Sequence, residues 1–528
     1  MGLNGFAEFQ TKNKNYRNPL ELVDFEGTYA LARWNTEILT VQTDVYSIYR
    51  LLYYNTGEIV IVSDSLVLIV ECMKKLGIER EINDEVAYIK AWNASGLPNA
   101  PISDELIVKG VFSLQVGKYL QIRWKDEEYS VQHIHRDVTE LFTSNSNSYV
   151  EVLRDCVIRM YTSINFLIKS FNPIIEFGLS GGIDSRVLLA LCLQSEDIMN
   201  STLINTNKHP TKADDYAVVK KLAERYGFSF NDSERKKTLM ERCDVKKIKI
   251  TNPLGLWKLA SLGVYDSFYL TPHYYSHPAI LHMSGVGAEP VKQAMDNSRI
   301  EKTARSQHPK TKNAVQQNLR STISNLGIDP LEPTAMKWYH MTYKAAYHLG
   351  FKTAQSSMLL RPFVQKRIFS IALAADNPFK GKSNTGPTAL HDMILLLDPT
   401  LASMAYDSPS KDISSEYAAE RLIELGGPIQ LHALPSPEIY GNIQSIANGP
   451  ANTFLQVVRE FSLNDNKTIR EQLLEQVKNI YEFKIPKNLK DIYESCYANT
   501  IDCLSDESIA LAPAGALAAR FLAFEFFD

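Results

Sequence analysis

Ile174-Ile175-Glu176-Phe177-Gly178-Leu179-Ser180-Gly181-Gly182-Ile183-Asp184-Ser185-Arg186-Val187-Leu188-Leu189 decides how the rest of this chain is read. An apolar run of strand length meets a tight polar loop, then the start of an apolar helix. That order makes an anion site. Gly181 and Gly182 let the backbone close around a ligand, and successive amides with the helix N-terminus point positive charge inward. Ser180 and Ser185 add hydroxyl donors. Asp184 is the odd member, because a carboxylate repels a phosphate held in the same cradle. A divalent cation between the two removes the conflict, and hard oxygen ligands suit Mg²⁺. The loop therefore predicts ATP, bound with Mg²⁺ through its pyrophosphate.

At 528 residues the chain exceeds what one hydrophobic core supports, so two or more domains are expected. Hydrophobic content of 45% with 22% charged residues places it among globular proteins, and a net charge of −4 argues against a nucleic-acid or membrane partner. Six scattered cysteines (Cys72, Cys156, Cys192, Cys243, Cys496, Cys503) form no Cys-x-x-Cys pair and suggest reduced thiols. No signal-type opening or bilayer-length apolar run is seen, and Phe6 stands where a myristoylation signal wants Ser or Thr. A cytoplasmic location is expected.

The polar tract Thr143-Ser144-Asn145-Ser146-Asn147-Ser148 divides two patterns, giving domains over 1–142 and 149–528. Before it lie short β-type runs at 28–34, 58–63 and 118–124, with one helical stretch from Leu66 to Leu76 that carries Cys72 as a core residue. After it come a helix over 150–170, the phosphate-loop strand, and a helix over 214–226 ended by Gly227. This is α/β order with a mostly parallel sheet, in which ligands sit at the carboxyl ends of strands.

The run Leu179-Ser180-Gly181-Gly182-Ile183-Asp184-Ser185-Arg186 resembles the Ser-Gly-Gly-x-Asp-Ser loop of the ATP-pyrophosphatase group, most closely its asparagine synthetase and β-lactam synthetase branch. A Walker loop competes poorly, since Gly381-Lys382-Ser383 has Asp376 where the upstream glycine belongs. The stretches 24–35, 43–66 and 111–124 also resemble successive strands of that branch's glutamine-hydrolysing domain. The resemblance implies an N-terminal Ntn-hydrolase-like α+β sandwich. A parallel-sheet synthetase domain of the adenine-nucleotide α-hydrolase type would follow it. One departure stands out: Met1-Gly2-Leu3 offers no Cys, Ser or Thr nucleophile at the start. Glutamine hydrolysis is therefore not expected, and the first domain is read as a structural relic or a docking surface.

The resemblance continues at Ser284-Gly285-Val286-Gly287-Ala288-Glu289, similar to a second Ser-Gly-x-Gly-x-Asp motif. It implies ATP contacts from Leu179, Ser180, Gly181, Gly182, Asp184, Ser185, Ser284 and Gly285, with Asp184 and Glu289 as the Mg²⁺ carboxylates. Val286 and Met358 replace the polar pair that activates the amine in relatives, so that role is unassigned. Lys411, in Tyr406-Asp407-Ser408-Pro409-Ser410-Lys411-Asp412, matches the relatives' catalytic lysine, with Lys380 and Lys382 in reserve.

Two further clusters lie outside that resemblance. His273 and His277 have the i, i+4 spacing of a helical zinc pair but lack an adjacent Glu and a third ligand, so packing or a pocket wall is favoured. The basic stretch Lys292 to Arg320 is read as a solvated insertion or a lid. The expected activity is that of an ATP- and Mg²⁺-dependent, AMP-forming amide ligase, without glutamine hydrolysis. It would join a small-molecule or peptide carboxylate to an amine, and intramolecular ring closure and a homodimer are left open. Its rivals are an ATP-pyrophosphatase acting on a nucleic-acid base and a scaffold that has lost catalysis.

Overall fold

Antiparallel strands fill the first part of the chain and a parallel sheet the second. The computed structural model describes residues 26–92, 99–125, 128–143, 148–243, 247–250, 252–270, 273–275, 280–292, 307–350, 358–380, 386–431, 434 and 467–527. The first seven strands are β1 (Ala30–Trp34), β2 (Ile38–Thr43), β3 (Leu52–Asn55), β4 (Val60–Ser63), β5 (Val111–Ser113), β6 (Lys118–Lys125) and β7 (Glu128–His135). They pair antiparallel in two sheets, ordered β1-β2-β6-β7 and β4-β3-β5. Val41 and Leu120 of the first sheet share a small core with Tyr53 of the second and with Leu51 and Leu114, which flank its strands, so the sheets lie face to face. Alternation then turns Leu52 and Tyr54 to the opposite side, where helix Leu66–Lys75 packs through Leu66, Ile69, Val70 and Met73. Ser65 caps that helix by accepting from Leu68 N. Cys72, expected in the core, sits at the flank of this stripe and is half-exposed.

The same core also takes Trp257 and Phe268, and the helices Ile469–Asn479, Lys487–Ser505 and Leu511–Leu522. The division at 142/149 therefore separates sequence patterns but not hydrophobic cores. The last helices of the chain pack with the first ones.

The later strands are β8 (Ile174–Gly178), β9 (Thr202–Asn205), β10 (Lys247–Lys249), β11 (His273–Tyr275), β12 (Ile280–Met283) and β13 (Met358–Leu360). Four of them form a parallel sheet ordered β13-β12-β8-β9. Ile175, Phe177 and Met283 face helices Tyr149–Phe171, Ile183–Cys192, Lys366–Leu373 and Ala389–Leu397. Ile174, Leu203 and Ile280 face the other way, toward Leu239 of helix Ser233–Arg242. Helix Tyr149–Phe171 opens with a Ser148/Glu151 capping box and stops at left-handed Asn172. Helix Ala213–Tyr226 stops at Gly227, where φ is 70°. From β8 the chain steps one way to β9, and β12 later joins the opposite edge of β8. Ligands of open α/β sheets bind at such a reversal, here the carboxyl ends of β8 and β12.

His273 lies in β11, paired antiparallel with Lys249, and not in a helix; His277 is outside the described residues. One expectation is corrected. The basic stretch is not solvated throughout. Helix Pro309–Ser324 buries Thr311, Ala314, Val315, Leu319, Thr322 and Ile323, and its apolar members pack with Trp92, Phe142 and Trp338. Its polar residues masked an i, i+3, i+4 stripe; residues 293–306 are outside the described set. Among the described residues no helix is long and apolar enough to cross a membrane.

Candidate active site

Leu179 extends β8 by donating its amide to Asn205 O at 2.8 Å, and the chain then turns sharply. Two serines buttress the turn. Ser180 N donates to Ser185 Oγ at 3.1 Å, the hydroxyls lie 3.1 Å apart, and Gly182 N donates to Ser180 Oγ at 3.1 Å. Gly181 N donates to Asp215 Oδ1 at 2.8 Å. The loop amides expected to face a ligand are thus engaged within the protein. What remains is the first turn of helix Ile183–Cys192, whose N-cap Gly182 supplies no side-chain cap. Such first-turn amides have no intrahelical partner and suit an anion.

Gly181 is glycine for a steric reason. A Cβ there would lie 2.6 Å from Asp407 Cβ, whose amide donates to Gly181 O at 3.2 Å. Gly285 is equally constrained, since its Cβ would lie 2.9 Å from Asp184 Cβ. The loop after β12 is thus pressed against the loop after β8. Ser284 N donates to Leu360 O at 3.0 Å, Gly287 adopts φ 104°, and Gly287 N donates to Glu289 Oε2 at 2.9 Å.

These loops bring Asp184 and Glu289 into electrostatic contact. Burial pushes the Glu289 carboxyl above its ordinary value; its backbone hydrogen bonds oppose this, and the Asp184 charge pushes it further up. Asp184 Oδ2 is held by Lys292 at 2.6 Å, whereas Oδ1 is buried without a hydrogen bond. A buried orphan oxygen beside a second, mutually repelling carboxylate fits a hard cation. Among the described residues no three His, Cys, Asp or Glu side chains converge on a metal position. Mg²⁺ does not need three, because one or two carboxylates and substrate phosphates commonly hold it.

Lys411 reaches the same place from the far side. Its Nζ lies 2.7 and 2.9 Å from the Asp407 carboxylate oxygens, next to Gly181. The segment carrying it is fixed by Arg186, which donates to Met404 O at 2.5 Å and Ala405 O at 2.7 Å and lies 3.5 Å over the Tyr406 ring. Asp184, Asp215 and Asp407 thus each hold a lysine: Lys292, Lys212 and Lys411. These lysines are partly exposed, and such pairs contribute little, so a polyphosphate can displace them. Lys380 is exposed, and Lys382 lies outside the described residues.

A cavity of about 520 Å³ opens along the carboxyl edge of the sheet, lined among others by Glu176, Asn205, His282, Ser284, Val286 and Arg361. Glu176 is held by Lys236 at 2.7 Å and Asn205 at 2.9 Å, with His282 Nδ1 3.5 Å away. Burial alone would raise its pKa, but Lys236, His282 and Asn205 outweigh it and keep the carboxyl below its ordinary value. Arg361 donates to Leu349 O and makes no ion pair among the described residues. Its electrostatic neighbour Asp44 accepts from the amides of Tyr46, Ile48 and Tyr49. Val286 lines the cavity, while the side chain of Met358 is outside the described set.

Asp215, Asp407, Lys292, Arg186 and Arg361 were missed from sequence. Only Arg186 carried a local signal, as a charge leading directly into the unbroken apolar run of its helix. No protein-family model and no curated protein matches the chain.

Proposed function

We propose that this chain is an AMP-forming, ATP- and Mg²⁺-dependent amide ligase, with the synthetase and sandwich domains of the asparagine synthetase and β-lactam synthetase type. The observation that carries the reading is the convergence at the β8/β12 reversal. Two carboxylates, an uncapped helix N-terminus and Lys411 meet there from three separate segments. That set suits a polyphosphate with a bound cation and suits few other ligands.

In this reading a substrate carboxylate attacks the α-phosphorus of ATP, forming an acyl-adenylate and releasing pyrophosphate. The first-turn amides with Ser180 and Ser185 hold the β,γ-phosphates, as donors fixed before charge shifts onto the leaving group. Lys411 and Lys292 exchange their aspartates for phosphate oxygens. Mg²⁺, held by Asp184 and Glu289, would neutralise further charge on the same phosphates. The acid occupies the cavity beside the loops, where Arg361 supplies positive charge that no carboxylate among the described residues neutralises by direct pairing. An amine then displaces AMP.

Pyrophosphate release measured with ATP across a panel of carboxylic acids tests the reading. AMP and pyrophosphate in equal amounts support it; ADP and phosphate reject it.

A further inference from the structure

Helix Ala389–Leu397 is buried at every position, and two of its nine side chains are polar: His391 and Asp392. Asp392 is accounted for by Tyr149 at 2.7 Å and Arg421 at 2.7 Å. His391 is not, because its two ring nitrogens serve different segments. Nδ1 accepts from Thr388 N at 3.0 Å, closing the cap of its own helix. An imidazole accepting at Nδ1 carries its proton on Nε2. That nitrogen lies 2.9 Å from Lys411 O, to which it donates.

We infer that His391 is the positioning residue for Lys411, holding the lysine's backbone so that its ammonium meets the leaving phosphates. The inference rests on the ligase reading for what Lys411 does, and on geometry for how it is held. The contacts form one chain from helix to phosphate loop. His391 fixes the Lys411 carbonyl, the Lys411 ammonium meets Asp407, and the Asp407 amide meets Gly181 O. Tyr406 completes the clamp. Its ring carries the Arg186 guanidinium 3.5 Å over it and meets the His391 ring edge-to-face, with centroids 5.2 Å apart.

A residue that only capped its helix would need Nδ1 alone. Two substitutions separate the roles because they differ by one methylene. His391→Gln places an amide donor where Nε2 stands and reaches Lys411 O, while giving up the acceptor for Thr388. His391→Asn keeps the cap and falls short of Lys411.

The test uses the full chain with lysines ¹³C-dimethylated, the Lys411 resonance being identified by its loss in Lys411→Arg. In His391→Asn that resonance should move to the position of exposed lysines, and in His391→Gln it should stay. Pyrophosphate release should fall about a hundredfold in His391→Asn and recover in His391→Gln, a loss typical of an ångström-scale misplacement. Mg·ATP affinity should change no more than about threefold, well under the tenfold that 1.4 kcal/mol represents. A Lys411 resonance that moves in both variants, or in neither, overturns the inference. Failure to bind Mg·ATP would instead overturn the ligase reading, while the resonance still decides how Lys411 is held.

Discussion

Lys292 Nζ holds Asp184 Oδ2 at 2.6 Å, leaving Oδ1 of the same carboxylate buried and unbonded. Half of this acid is committed to an ammonium and half to nothing, although an unsatisfied buried oxygen costs about 1–3 kcal/mol. A bound cation resolves the imbalance, and Lys292 then competes with it. Lys292→Met should therefore tighten metal binding without nucleotide by about tenfold or more, given the Coulomb energy of a unit charge at this range. Asp184→Asn and Glu289→Gln should weaken it by at least that factor. Mn²⁺ titrations followed by electron paramagnetic resonance check all three. An unchanged affinity in Lys292→Met would remove Asp184 as a ligand.

The two loop glycines should fail differently. A Cβ at Gly182 would meet only Ser180 Oγ, at 3.2 Å, whereas one at Gly181 would run into Asp407 Cβ at 2.6 Å. Gly182→Val should fold with nearly the wild-type Tm yet lose Mg·ATP affinity by more than about tenfold. Gly181→Val should displace the Lys411 segment and lower Tm. Calorimetry beside thermal melts separates the cases. A folded Gly182→Val that binds ATP normally would remove the phosphate-loop assignment.

The strand, loop and helix around Gly181 were legible because periodicity and glycines are local signals. So were the antiparallel runs and the helix ended by Gly227. What the loop touches was not legible. Asp215 and Asp407 become its neighbours only after the sheet and its helices assemble, and no spacing in the sequence encodes that. The amide cradle expected from Gly181 and Gly182 is occupied by Asp215 and Ser180, since a loop that must hold its shape satisfies its own donors. The buried side of helix Pro309–Ser324 was not legible because lysines and glutamines on its outer face outweighed a six-residue buried stripe.

Arg361 should select the acid and not the nucleotide. Its guanidinium lines the cavity, donates to Leu349 O and has no ion-pair partner among the described residues. Burial lowers its pKa to about 10, so it stays charged at neutral pH. Arg361→Gln should raise KM for the acid at least about tenfold, the scale of one hydrogen bond to a charged group. Mg·ATP affinity should be preserved. Equal losses for acid and nucleotide would place Arg361 on the phosphates instead.

His391 sets a pH dependence whose sign is fixed by its burial. Burial pushes its pKa from 6.5 down to about 4; the Lys411 carbonyl opposes this and Arg186 adds to it. Between these values the unfolded chain binds a proton that the folded chain refuses. The stability tied to neutral His391 is therefore whole above pH 6.5 and lost as pH falls through about 4. From pH 7 to pH 5 the wild type should lose about 2 kcal/mol more than His391→Gln in urea unfolding. The Asp44 carboxyl, pushed up to about 6 by burial, opposes this trend in both proteins and cancels in the comparison. Parallel pH curves would mean that His391 is not buried as a neutral ring.

The last expectation separates binding from chemistry at Lys411. Its ammonium is paired with Asp407 and only about one-third exposed, so it is stored beside Gly181 and not free in solvent. Charge accumulates on the leaving pyrophosphate in the transition state more than in bound ATP, so a lysine aimed there acts on rate. Lys411→Ala should cut pyrophosphate release by about 10²–10³-fold, the range for loss of one preorganised charge-stabilising donor. Mg·ATP affinity should stay within a few-fold. Asp407→Asn should be milder, because it frees the ammonium without removing it. Single-turnover AMP formation beside equilibrium nucleotide binding measures both effects. Equal losses in rate and affinity would make Lys411 an ordinary phosphate contact, and a normal rate would turn the search to Lys292.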